Sequence, residues 1–370
     1  MPASSAYTNK ELVAHRDGLT IYGQLYLPGS WDGTPLPCVI CAHGFGANYL
    51  HNVPYAWELA KQGYAAYCFD FCGGGYASRS DGNPINMSLT TELKDFLAVV
   101  DMICEQDFVD KNNLFCMGEG LGGLVASMAA HTLQDVVTGL ILLYPAFQLH
   151  DDTRRTFPTK KNIPASYRLL GMRVSRTFGE DAWDTNPFTQ MRDFAGDVLL
   201  IHGDEDATCL AEYSERAAHV FSHAHLKIIH GGRHVFRESA LEKAVETVAE
   251  FVTHEVQKTQ ARAEERTAKT LEAARALKAT QDAVLAAQRA LMEQDPAWTQ
   301  APGQLSLDEK IKEAEKNRAP RTTSQTAAQA APQAPSPSAH ASEQRTRARY
   351  VMPEPEKFVR RRARHLRRDS

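Results

Sequence analysis

The stretch Asn113–Gly123, "NLFCMGEGLGG", decides how this chain folds. Leu114–Met117 is a short apolar run suited to a buried strand, and "LVASMAAH" after Gly123 repeats apolar and small residues at helical spacing. A strand, a tight glycine turn and a helix form the setting of the pattern Gly-x-Ser-x-Gly, in which a sharp turn presents a serine hydroxyl. Gly118 and Gly122 fill the two glycine positions, and Gly120 stands where the serine belongs.

Outward from this turn, strand-like and helix-like pieces alternate from Glu11 to about His254. "ELVAHR" and "LTIYGQLYLP", separated by Asp17-Gly18, read as a hairpin. "PCVICAHG" and "YAAYCFDF" read as strands around the helical "YAWELAKQG". A longer helix follows, "SLTTELKDFLAVVDMICEQ", with Ser88 and Glu92 placed to cap its start. "VVTGLILLYP", "DVLLIHG" and "HLKIIHGG" supply further strands, the last two flanking the helix "CLAEYSERAAHVF". Apolar strands alternating with helices predict a mostly parallel sheet covered on both faces.

The chain has 370 residues, 43% of them hydrophobic, enough for a core of ordinary size. No apolar run reaches the roughly 18 residues that crossing a bilayer requires, and the N-terminus lacks a basic start followed by an apolar stretch, so no secretory signal is read there. Seven cysteines, several inside apolar runs (Cys38, Cys41, Cys68, Cys116), suit reduced core thiols of a cytoplasmic protein better than a disulfide framework. Cys38 and Cys41 have the C-x-x-C spacing but lie within a strand, so neither a metal nor any other cofactor is expected. The net charge of −4 conceals an asymmetry: residues 255–370 hold 22 Lys and Arg against 15 Asp and Glu, leaving the preceding part strongly acidic.

Four stretches in a fixed order carry a resemblance: "HGFG" (43–46), "FDFCGGGYASRSDG" (69–82), "GEGLGG" (118–123), and the pair "HGDEDATC" (202–209) with "GGRHVF" (231–236). Over residues 10–255 the chain resembles the α/β-hydrolase superfamily, and within it the cinnamoyl- or feruloyl-esterase-like serine hydrolases. That resemblance implies the α/β-hydrolase fold, an α/β class with helices on both faces of the central sheet and a small cap insertion. It also implies a site in the chain order elbow, acid, histidine. His234 matches the base and Asp206 the acid, with Asp204 as the alternative carboxylate; the backbone N–H groups of Phe45 and Leu121 match the oxyanion donors. His43 and His202, which also precede glycines at strand ends, read as structural.

Gly120 breaks this set of roles. Without an oxygen at that position, His234 has nothing to deprotonate and the usual acyl-enzyme cannot form. Cys41, Cys72, Cys116, Glu119 and Ser127 lie near in sequence, but none is on the elbow itself. Three functional readings follow: a carboxylic-ester-hydrolase-like protein that is impaired or inactive; an active serine esterase represented by a Ser-to-Gly variant; and a non-enzymatic platform whose basic tail contacts polyanions.

Residues 148–194 interrupt the alternation and read as the cap. Its aromatics (Phe157, Tyr167, Phe178, Trp183) and arginines (Arg154, Arg155, Arg173, Arg176) suggest a small ester or an aromatic or anionic ligand, or else a lid whose aromatics bury one another. The domain expectation is a hydrolase domain over 1–254, an extended helix over 255–295, and a disordered, Arg-rich tail over 296–370 that ends in "FVRRRARHLRRDS", with six arginines in thirteen residues.

Overall fold

The computed structural model describes residues 6–189 and 191–294, with isolated positions 308, 309, 312 and 316 beyond. Expectations for residues 296–370, including the basic terminus, therefore fall almost wholly outside the described residues.

The chain opens with a hairpin of β1 (Tyr7–Arg16) and β2 (Leu19–Pro28). Its two-residue turn places both Asp17 and Gly18 at positive φ, the backbone twist that matches flanking antiparallel strands. The chain then alternates: β3 (Leu36–Ala42), α1 (Val53–Lys61), β4 (Ala65–Phe69), α2 (Leu89–Cys104), β5 (Val109–Glu119), α3 (Leu121–Leu133) and β6 (Gly139–Leu143). After the cap come β9 (Asp197–Gly203), α6 (Ala211–Val220), β10 (Ala224–Ile229) and α7 (Glu238–Gln294). The eight-stranded sheet runs β1-β2-β4-β3-β5-β6-β9-β10. Only the β1–β2 and β2–β4 pairings are antiparallel, and every pairing from β4 to β10 is parallel.

Strand side chains alternate between the two faces, and the core divides accordingly. Cys38, Ile40, Leu114, Cys116, Leu140, Leu142, Val198 and Leu200 pack with Phe96 and Val99 of α2 and Leu124 and Val125 of α3. Val39, Cys41, Phe115, Met117, Ile141, Leu143, Leu199 and Ile201 pack with Val53, Ala56 and Leu59 of α1 and Ala244, Val248 and Val252 of α7. The C-x-x-C pair is thus split across the sheet, with Cys38 and Cys41 facing opposite layers.

The cap consists of α4 (Leu149–Thr156), the small hairpin β7 (Ser166–Leu169) and β8 (Met172–Ser175), and α5 (Arg176–Asp184). One local expectation changes. The N-terminus of α2 is boxed by Ser88 with Thr91, whose hydroxyl accepts the Ser88 N–H at 2.8 Å. Glu92 is instead buried, and burial holds its carboxyl well above the usual range. The long helix expected over 255–295 continues the last helix of the body. From residue 238 to Pro296 the chain has no glycine or proline, so α7 is continuous. It belongs to the body through Ala261 and to a second unit from Arg262 onward, where Leu277, Val284 and Leu291 are exposed.

The link between β5 and α3 packs backbone on backbone. A Cβ on Gly122 would sit 2.5 Å from the His43 carbonyl oxygen, and one on Gly118 would sit 2.3 Å from the Gly122 oxygen. Gly122→Ala is expected to cost about 1–3 kcal/mol, read as a lower urea midpoint at unchanged slope; a neutral result would show that the turn yields easily.

Candidate functional site

Gly120 sits between β5 and α3 with φ 51 and ψ −111, a conformation that side chains rarely adopt. The bend is held on three sides. The Gly120 N–H donates to the Leu143 carbonyl at 3.0 Å, and its own carbonyl accepts from Ala146 at 2.8 Å and from Leu124 at 3.2 Å. A Cβ built there would lie 3.7 Å from His234 Nε2 and would clash with nothing.

His234 follows β10, and Asp206 follows β9. Parallel pairing of β9 with β10 brings the ends of these strands, and hence the two loops, to one edge of the sheet. His234 Nδ1 lies 2.9 Å from Asp206 Oδ2. The Thr208 and Cys209 N–H groups donate to Asp206 Oδ1 at 2.7 and 2.8 Å, and His202 Nε2 stands 3.3 Å from Oδ2. Burial opposes ionisation of Asp206, but the hydrogen bonds from His202 and His234 outweigh it and hold the carboxyl well below the usual range. Burial alone would lower the His234 pKa; the nearby sulfur of Cys209 and the Asp206 carboxylate push it up to about 10.

Asp204 is elsewhere engaged. It accepts from the Gly231 N–H at 2.7 Å and pairs with the exposed His230 at 2.8 Å. His43 is buried, with Nδ1 on the Gly44 carbonyl and Nε2 accepting from the Phe71 N–H, so its ring joins two loops. His202 bonds Ser214 and the Cys209 carbonyl behind Asp206.

Of these residues, Gly120, Thr208, Cys209 and His234 line one cavity of ≈190 Å³. Gly44, Phe45, Gly120, Leu121 and His234 form its floor, and Leu149, Leu169, Leu170 and Phe178 of the cap roof it. Among the described residues, no acceptor takes the N–H of Phe45 or of Leu121. Phe178 packs edge-on to Phe45 at 5.8 Å. The other three cap aromatics named above turn away, Phe157 onto Tyr167 and Trp183 beneath Arg154. The four cap arginines also lie outside the lining. Arg155 pairs with Asp152, Arg173 with Ser166, and Arg176 with Glu180 and the Ile163 carbonyl. The cap therefore contributes aliphatic and aromatic wall and the acidic Asp152 rather than positive charge.

Of the five side chains weighed as substitutes for the serine, Cys41, Cys72, Cys116 and Ser127 do not reach the cavity, whereas Glu119 does. Burial pushes its carboxyl up to about 7, against the Tyr144 hydroxyl and the His234 ring, which pull it down. Tyr144, at positive φ, sets its ring 4.9 Å from that of His234. Sequence reasoning missed Cys209 and Tyr144. "DATC" carried the only signal for the former, a cysteine three residues after the acid; nothing marked the latter.

The same fold recurs in known proteins. The model of the family described as serine aminopeptidase, S33, matches residues 33–180. An uncharacterized protein of Pseudomonas aeruginosa is 30% identical over 133 residues, which is 35% of this chain and 35% of that protein. The match thus spans about a third of the curated relative's length. A hypothetical protein from P. aeruginosa, known as a crystal structure, superposes with TM-score 0.55 at 20% identity, over 69% of this chain and 96% of that one. Est1E from Butyrivibrio proteoclasticus, in its structure with ferulic acid bound, gives TM-score 0.62 at 26% identity, over 66% of this chain and 99% of its own. The chain has the α/β-hydrolase fold and a hydrolase scaffold. Among the described residues, no helix is long and apolar enough to cross a membrane.

Glu119 makes stability depend on pH in a defined direction. Its folded pKa lies above the ordinary carboxyl value of 4.5, so its contribution is fully present below about pH 4.5 and is lost as pH rises through about 7. Glu119→Gln should gain about 1–3 kcal/mol relative to the unaltered protein between about pH 5 and pH 8. Parallel stability curves for the two proteins would rule this out.

Proposed function

We propose that this chain is a carboxylic-ester-hydrolase-like protein whose ester hydrolysis is impaired or absent because Gly120 replaces the nucleophilic serine, and that its cavity retains a small acyl or aromatic ligand. The observation that carries the reading is the open space at residue 120, with a Cβ position 3.7 Å from His234 Nε2 and no hydroxyl to occupy it. In a working site of this design, serine attacks a carbonyl, His234 takes its proton, Asp206 orients the imidazole, and the Phe45 and Leu121 N–H groups hold the developing oxyanion. Here every role but the first has its residue.

What remains is a receptor. Two N–H donors and the His234 imidazole line one end of a largely apolar cavity, complementary to the carbonyl or carboxylate of a ligand with an aliphatic or aromatic body. Ferulic acid in Est1E has this chemistry, which supports an aromatic acid or its ester as the ligand class. The same vacancy favours a second reading, that of an active esterase represented by a Ser-to-Gly variant, since nothing has closed over the position.

Gly120→Ser should raise kcat/KM for short-chain aryl esters at least about 10³-fold, given that loss of a serine nucleophile alone costs about 10⁶ in a protease. It should also lower stability by about 1–3 kcal/mol, because serine must then adopt a strained backbone conformation. A Gly120→Ser protein as inert as the unaltered one would remove the basis for both readings.

For the terminal arginines the proposed partner is a polyanion. Truncation after residue 340 should abolish retention on heparin, and in the intact chain that retention should weaken steeply with salt. Equal retention by the truncated chain would exclude the tail.

A further inference from the structure

Cys209 differs from the other six cysteines in its surroundings. Cys38, Cys41, Cys68 and Cys116 are buried within central strands. Burial pushes the thiols of Cys38, Cys41 and Cys116 upward, that of Cys72 to about 12, and that of the half-buried Cys104 upward as well. Such thiols stay protonated and react slowly. None of these six lines the cavity; Cys209 does, together with Gly120, Phe45, Leu121 and His234.

Its sulfur also stands against the histidine–carboxylate pair. Cys209 Sγ, a ring nitrogen of His234 and a carboxylate oxygen of Asp206 all lie within 4.8 Å of one another. The backbone of Cys209 fixes that arrangement. Its N–H donates to Asp206 Oδ1 at 2.8 Å, and its carbonyl faces His202 Nε2 at 3.1 Å. One carboxylate therefore anchors the cysteine's main chain through one oxygen and orients the imidazole through the other.

We propose that Cys209 is a cavity nucleophile, paired with His234 and oriented by Asp206, that accepts small acyl groups from activated esters or thioesters. The proposal rests on reading the cavity as an acyl site. The His234 ring takes the thiol proton. The sulfur then attacks the acyl carbon, forming the C–S bond while the bond to the leaving alcohol or thiol breaks, and that group departs with the proton from His234. Water regenerates the thiol: its oxygen adds to the acyl carbon, the C–S bond breaks, the ring accepts a proton from the water, and the sulfur recovers one from the ring. Nucleophile and base partnered in this way follow the general logic of covalent catalysis. With the sulfur placed off the elbow, turnover is slow and the thioester accumulates.

The same three side chains are of types that bind zinc. The hydrogen bonding argues for the acyl role, because both Asp206 oxygens are already committed, Oδ1 to two N–H groups and Oδ2 to His234 and His202. A metal would have to displace these partners.

The test uses the full-length chain, incubated with 4-nitrophenyl acetate and, separately, with iodoacetamide, followed by peptide mass mapping. Acetyl and carbamidomethyl groups are expected on the peptide that contains Cys209 before Cys104 is modified. Alkylation of Cys209 should slow at least about tenfold in His234→Gln, as the loss of a proton acceptor predicts, and acetylation should vanish in Cys209→Val. Mapping on the unaltered chain answers the question even if Cys209→Val does not fold. Acetylation confined to Cys104 overturns the proposal, as does protein-bound zinc whose removal by a chelator is needed before Cys209 reacts. If Gly120→Ser hydrolyses esters while Cys209 stays unacylated, this inference alone falls. If Gly120→Ser is inert and Cys209 is alkylated but never acylated, the acyl-site reading falls with it.

Discussion

The structure depends on a contact that no side chain could survive. Where β5 gives way to α3, the main chain at Gly118 and Gly122 presses on its own turn and on the end of β3, at separations that leave no room for a Cβ. Because these backbones touch, residue 120 is thrust to the sheet edge with its φ inverted, and the start of α3 faces the loops that follow β3, β9 and β10 across one cavity. A looser turn would let helix and strand drift apart, and the loop geometry around His234 would lose its floor.

At that edge, charge is balanced with little room to spare. Asp206 is kept ionised by donors on every side, and the basicity of His234 is in turn raised by Asp206 and the neighbouring sulfur. Glu119, only one residue from the bend, is driven toward neutrality because burial strips its solvation. Two carboxyls in the same neighbourhood thus have opposite preferences: at Asp206 the hydrogen bonds outweigh burial, whereas at Glu119 burial outweighs the Tyr144 hydroxyl and the His234 ring. A histidine–carboxylate pair is a general tool for moving a proton, and its use depends on which group stands opposite the ring. At residue 120 there is none, whereas a thiol stands beside it.

Much of this was legible along the chain. Strand and helix alternation follows from apolar periodicity, and parallel pairing follows from strands that are apolar on both faces, such as "CVICA" and "GLILL". Asp206 and His234 stood out as candidates because each lies in a short glycine-containing loop just after a strand, Asp206 as the second aspartate of "GDED" and His234 after the "GG" pair. The arginines of the cap were less legible. Composition suggested a basic pocket, but guanidinium groups are long and adaptable, and in the fold they reach outward to Asp152, Ser166 and Glu180. Glu92 misled for a related reason: its spacing suited a cap, while the helix turned it inward and left capping to Thr91.

The amino-acid sequence by itself determined the layered α/β architecture, the turn at Gly118–Gly122 and the missing oxygen at residue 120, since each is a local property of residue type and period. Only the tertiary structure decided that Asp206 rather than Asp204 meets His234, that Glu119 is buried beside Tyr144, and that Cys209 shares the cavity. The reason is physical: these outcomes depend on which loops adjacent parallel strands bring side by side, and on how little water reaches the space between them. Neither quantity is written in any short stretch of chain.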